Sequence, residues 1–265
     1  MHIWLGNEDS FNQLKLAQEG LRDLQARVGG GYFSDLEMPS LYSRHGDIGV
    51  IEIFGSLIEG KAGFFRLFGL TGYDDITEAI VEAMADKRAK AILYNIKSSG
   101  GSVSGVQDTA DTIKNASTVK PSSVYTDNMC SAAYWLGSSA GHITQSALGI
   151  SGSIGSVMVH QERSTQLKNA GITTTVVRSG PHKMVANSVE PLSEEGRAYL
   201  ENLVTYSSDV FDKVVAENRG VSVETVKSRM GGGRVFMGQQ AVDVGLVDRL
   251  GDWQDALVHA QSRVK

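Results

Sequence analysis

A single cysteine, Cys130, is all the sulfhydryl this 265-residue chain has, so an internal disulfide is excluded and a reducing compartment fits. Long apolar runs are missing too: no window reaches the ~18 residues a membrane-spanning helix needs. The opening "MHIWLGNEDS" turns acidic before an apolar core develops, so neither a secretory leader nor a membrane anchor is expected. Basic charge is in short supply. The formal net charge is −5, which leaves no electrostatic footprint for nucleic acid. No metal-ligand cluster stands out, and "GGGR" at Gly231 to Arg234 lacks the Lys-Ser/Thr of a phosphate loop. The expectation is a cytoplasmic protein without cofactor or metal.

What is present is ordinary for a soluble globular protein, with 41% hydrophobic and 21% charged residues. The length suits one domain with appendages or two small domains. Residues 1–45 read as a helical appendage: Leu14, Ala17, Leu21, Leu24 and Val28 alternate three and four apart, and Gly29 to Gly31 stop the helix. That stripe suits a helix laid on its own domain, or a short self-association seam. From Ile48 strands and helices alternate. Strands are expected at "IGVIEIFG", "KAILYNI" and "SSVYT", near "HITQ" and "GSIGSVMVH", and at "ITTTVVR". Helices are expected over "DDITEAIVEAMADK", "GVQDTADTIKNA" and "ERSTQLKNAG". This is the α/β pattern of βαβ units on a parallel sheet. Residues 46–190 form the core, and residues 191–265 a C-terminal helical part of the same domain.

Chemistry concentrates in a few places. "SSGG", Ser98 to Gly101, ends a strand and opens a helix, where paired glycines can turn N–H groups outward or simply make a turn. Ser131 in "YTDNMCSAAYWLGSSAGHI" follows a strand and precedes a helix, a position that suits a nucleophile or an N-cap. Cys130 beside it reads as a small buried hydrophobe. None of the six histidines sits in a familiar triad context. A lysine can act as the base instead, and Lys183 in "RSGPHKMVANSVEPLSEEG" lies in a loop with few charges around it, although loop lysines are commonly just solvated. Phe64, Phe65 and Phe68 in "KAGFFRLFGLTGY" form either a core or interface segment or an apolar wall for an extended peptide.

Five segments in order, "SSGGSVSG", "CSAAYWLGSSA", "SGSIGSVMVH", "GPHKMVANSVEPLSEEGR" and "FMGQQAVDVGLVDRLG", resemble the S49 family of serine proteases, the relatives of signal-peptide peptidase A. The resemblance runs from about Ile48 to Gly251 and implies a ClpP/crotonase-like fold. It implies a Ser-Lys dyad of Ser131 and Lys183, with Ser153 orienting the lysine. The oxyanion hole it implies is made of the backbone N–H groups of Gly100, Gly101 and Ala132. The family's usual proline before the two glycines is Ser99 here, which loosens that turn.

"SAAYW", "GPHK" and "EPLSEEGR" look like the tailed-phage and prophage branch, whose members mature the head by cleaving scaffold and capsid or portal proteins inside the procapsid. Family members form homo-oligomeric rings that shelter the sites. Three other readings compete. A soluble cellular signal-peptide-peptidase-like enzyme would share the chemistry. A crotonase would bind coenzyme A. An inactive homologue would act only as an assembly factor.

Overall fold

The computed structural model describes residues 4–6, 15, 16, 19 and 38–264. The stripe Leu14, Ala17, Leu21, Leu24 and Val28 lies outside the described residues. Among the described residues nine strands form one sheet: β1 (Trp4–Gly6), β2 (Tyr42–His45), β3 (Ile48–Ile58), β4 (Leu70–Gly72), β5 (Ala91–Ser102), β6 (Ser122–Cys130), β7 (Ile143–Gly152), β8 (Val235–Met237) and β9 (Arg249–Leu250). The main path runs β2-β3-β5-β6-β7-β8. Its centre, β3-β5-β6-β7, is parallel throughout. Parallel neighbours require crossovers, and these are α1 (Tyr73–Ala85), α2 (Val106–Val119) and α3 (Ala132–Ser138).

Side-chain alternation sorts the two faces of the sheet. Ile51, Ile53, Ile92, Tyr94 and Ile96 point into the main core with Ile76, Ile80 and Ile113 of α1 and α2. Their neighbours on the other face, Val50, Ala91 and Leu93, pack on Ala256, Leu257 and Ala260 of a C-terminal helix, α6 (Trp253–Ser262). A strand buried on both faces reads as a continuous apolar run, which is why "KAILYNI" was legible as a strand.

The long helix α5 (Glu194–Arg219) starts at Ser193, whose Oγ accepts from Gly196 N at 3.0 Å. It packs on α3, with Phe211 stacked on Trp135 at 4.8 Å between ring centroids. Asn218 donates to both Ser138 Oγ and Ser139 Oγ, at 3.2 and 3.1 Å. Residues after Pro191 therefore share the core of the sheet. On the N-terminal side, β1 and β2 are strands of that same sheet.

Two expected strands are corrected. "ITTTVVR", residues 172–178, has no regular structure and is mostly exposed, following the short helix α4 (Ser164–Asn169). β-Branched residues make a strand only against a partner. The outer edge of β7 is already taken by β8 and β9. "GSIGSVMVH" is not a strand either: β7 runs unbroken from Ile143 to Gly152 and stops. Ser153 at φ 53° and Gly155 at φ 149° take the backbone out of the extended region there.

His142 and His259 stack at 3.8 Å between ring centroids, near Asp248, Arg249, Arg219 and Arg263. Burial, then neighbouring positive charge, holds both imidazoles below their usual range. Near neutral pH this favours the uncharged form of both rings in the folded protein. Their contribution to stability is complete above the unfolded value of ~6.5 and is lost as pH falls through the lower folded values. We expect the Tm of His142→Phe, which keeps a ring but cannot charge, to fall less between pH 7 and pH 5 than that of the wild type. Equal falls in a calorimetric series would remove the pair as an acid-sensitive element.

Candidate active site

The parallel strands bring their carboxyl ends to one rim of the sheet, the place where open α/β sheets bind ligands. At the end of β6 the chain turns sharply at Ser131 and enters α3. Ser131 is 1% exposed, with φ 56° and ψ −123°, a conformation most non-glycine residues avoid. Its N–H donates to Gly152 O at 2.7 Å, which ties the turn to the end of β7. All of α3 is buried, and Tyr134 Oη donates to Leu246 O at 2.8 Å. A serine in an unfavourable φ/ψ region is held there by a rigid frame on both sides.

Ser153 occupies the matching place on the next strand. The register pairs Cys130 with Gly152, so Ser131 and Ser153 leave their strands at the same level. Ser153 also has a positive φ, and its N–H donates to Arg234 O at 2.6 Å. Both serines line one cleft of about 560 Å3 with Ile154, Val157, Val204 and the Asp209–Asp212–Lys227 group. A second trough of about 480 Å3 shares Ser156, Val157, Val204 and Thr205 with it and continues past Leu192 and Leu200.

Gly100 and Gly101 lie on the same rim within β5, which runs on to Ser102, so "SSGG" is strand here and the next helix opens only at Val106. Gly100 has φ 104°, and its N–H donates to Ser98 Oγ at 3.1 Å. A Cβ on Gly101 would stand 1.9 Å from Leu57 O, so only glycine fits between β5 and β3. Ala132 is the first residue of α3, where a backbone N–H has no intrahelical acceptor.

Cys130, adjacent to Ser131, is buried, and burial pushes its thiol up to about 12. At neutral pH it holds no thiolate and offers no nucleophile. Among the described residues no histidine lines the cleft. The lysine that does line it, Lys227, is paired with Asp209 Oδ1 at 2.7 Å, and that hydrogen bond raises its affinity for its proton. Lys227 is therefore unsuited to act as a base.

Lys183 lies elsewhere. It sits in an exposed turn, its N–H donating to Gly180 O at 3.1 Å, and it is not among the residues of the cleft. Beside it His182 stacks on Tyr199 at 4.9 Å. The structure thus brings Ser131 and Ser153 together, with Gly100, Gly101 and Ala132 on the same rim, and leaves Lys183 outside the cleft.

Phe64, Phe65 and Phe68 fall in a 3-10 helix, Gly63–Phe68, and none of them lines the cleft. Phe64 and Phe68 meet edge to face at 5.4 Å, and Phe65 packs on Ala62 and Leu70.

Sequence reasoning missed the Asp209–Asp212–Lys227 group. Asp209 and Asp212 are one helical turn apart, which places both on one face of α5. Lys227 lies in the π-helical segment Val226–Met230, and only folding brings it to them.

Comparison with known proteins follows this geometry. Residues 114–265 match the profile described as Peptidase family S49. The head-tail preconnector protein of Enterobacteria phage P21 is 33% identical over 211 residues, 79% of this chain and 42% of that protein. Capsid assembly protease C of Escherichia phage lambda is 32% identical over 213 residues, 79% of this chain and 48% of that protein. This chain thus spans less than half the length of both. Among solved structures, a ClpP1 mutant from Listeria monocytogenes is similar at a TM-score of 0.48 and 15% identity, covering 78% of this chain and 94% of that one. Among the described residues, no helix is long and apolar enough to cross a membrane.

Proposed function

The chain belongs to peptidase family S49, and from that premise we propose that it is a serine endopeptidase of phage or prophage head maturation, acting through Ser131 and Lys183. The observation that carries this reading is the rim geometry: a buried serine held at positive φ between two strand ends, opening on a cleft it shares with Ser153. The similarity to a capsid assembly protease supports the biological role.

In this mechanism Ser131 Oγ attacks the scissile carbonyl carbon while the Lys183 amine takes its proton. The negative charge that develops on the carbonyl oxygen is met by the N–H groups of Gly100 and Gly101, near the end of β5, and of Ala132. The Gly100 N–H must exchange its contact with Ser98 Oγ for the substrate oxygen. The proton then passes to the leaving amine, and water hydrolyses the acyl-serine ester. Ser153 orients Lys183 once that lysine is in the cleft. The exposed segment 171–192 carries Lys183, and it docks when copies of the chain assemble into a sheltered ring. Ile154, Val157 and Val204 give the cleft an apolar side that favours a small or apolar residue before the scissile bond.

The test is co-expression with candidate scaffold, capsid and portal proteins of the same phage or prophage, comparing wild type with Ser131→Ala and Lys183→Ala. Wild type alone should cut, with both variants folded and assembled to the same extent. Equal cutting by all three would leave Ser131 as a helix cap and sink the dyad.

A further inference from the structure

The end of β5 has two edges, and both are occupied. On one edge β3 pairs Ser56 with Gly100 and Leu57 with Gly101. On the other, β6 pairs as far as Ser98 with Met129 and then departs, because the chain turns away at Ser131. The vacated edge is filled by β1, antiparallel, with Gly6 opposite Gly100, Leu5 opposite Gly101 and Trp4 opposite Ser102. Ser98 and Gly100 are two residues apart, roughly 7 Å along a strand. Residue 6 therefore stands where β6 gives way to Ser131, beside Gly100 and Gly101 of β5.

An extended peptide presented to Ser131 has to add to this same edge, since strand addition is how a sheet edge takes a peptide backbone. We propose that the chain's own segment Trp4–Gly6 is an intramolecular ligand of the substrate-strand position, with Gly6 in the place of the residue before the scissile bond. This rests on the peptidase reading above and adds an occupant and a sequence preference to it. The site prefers glycine at the residue opposite Gly100, because Gly6 is what the chain itself places there. A substrate must displace the segment before it is cut. A tethered competitor acts at an effective concentration on the order of 1 mM. Against a strand affinity on the order of 100 µM, that competition raises the apparent KM about tenfold and leaves kcat unchanged.

The experiment uses the full chain and the double variant Trp4→Pro/Leu5→Pro. Hydrogen-bonded and non-bonded pairs alternate along an antiparallel ladder, so one of the two prolines must delete a ladder N–H. Two readouts are taken. Amide exchange over Gly100–Ser102 should speed up in the variant. On a fluorogenic peptide with Trp-Leu-Gly before the reporter, KM should fall about tenfold at constant kcat. The free peptide Ile-Trp-Leu-Gly should then inhibit the variant competitively.

Unchanged exchange together with unchanged KM would overturn the inference. So would a change in kcat alone, which marks a merely structural effect. Faster exchange in a variant that, like the wild type, hydrolyses nothing would keep the strand where it is and overturn the peptidase reading instead.

Discussion

Ser131→Gly is expected to abolish peptide hydrolysis and, at the same time, to make the protein more stable. The loss follows from the proposed mechanism: without a nucleophilic oxygen, only the oxyanion donors and binding remain, so a fall in kcat of at least ~10^4-fold is expected. The gain follows from the backbone. At φ 56° and ψ −123° a residue with a Cβ is strained by roughly 1–3 kcal/mol, and glycine is not. Glycine also lowers stability through the greater freedom of the unfolded chain, so a net gain of about 1 kcal/mol is the expectation. In a chain of this size that corresponds to about 2–4 °C in Tm.

Ser131→Ala separates the two effects, because it removes the oxygen and keeps the strain. Both variants should be inactive, and only the glycine variant should melt higher. Hydrolysis surviving in either one would remove Ser131 from the mechanism. A glycine variant no more stable than the alanine variant would show that the turn is unstrained.

Gly101→Ala is expected to damage the fold and the activity together. The added methyl would meet Leu57 O at 1.9 Å and Leu57 C and N at 2.6 Å, so β3 and β5 must move apart. Both strands are central and buried, and forcing atoms into a packed interior costs roughly 1–3 kcal/mol, with more where backbone has to shift. The same displacement moves the proposed oxyanion turn, and loss of one such donor lowers kcat by about 10^2–10^3-fold. Gly46→Ala is the control. Gly46 also has a positive φ, 61°, but a Cβ there meets nothing within 4 Å. It should cost about 1 kcal/mol, in the range of a single left-handed non-glycine residue, and leave turnover unchanged. Chemical denaturation and peptide hydrolysis of the two variants decide the point. If both variants behave alike, the crowding at Gly101 is not what fixes the rim.

The candidate rim was legible in the sequence to the extent that local rules apply. "KAILYNI" is apolar because β5 is buried on both faces, and the glycines of "SSGG" mark a place where backbone approaches backbone. Ser131 between an apolar strand and a run of small residues announced a strand-to-helix turn. By local rules Lys183 was a lysine in a loop, its place in a dyad coming from the resemblance alone, and the folded single chain keeps it in a loop. "ITTTVVR" misled because β-branched residues report a willingness to pair, whereas pairing depends on an available edge. Phe64, Phe65 and Phe68 stay open in the sequence between a core or interface segment and an apolar wall, because apolar residues between a strand and a helix fit a local 3-10 turn as well as a cleft wall.

What the sequence determined alone is therefore the α/β alternation, the family, and the order of the segments that build the rim. The alternation is encoded in residues close together in the chain, and the family in short segments that can each be read locally. The tertiary structure decided the rest. It set Ser131 level with Ser153 through the register of β6 and β7, and it joined Lys227 to Asp209 and Asp212. It also laid Trp4–Gly6 along the edge that β6 leaves open. Each of these joins residues distant in sequence, and strand register and edge occupancy depend on which strands pair, which no local pattern specifies.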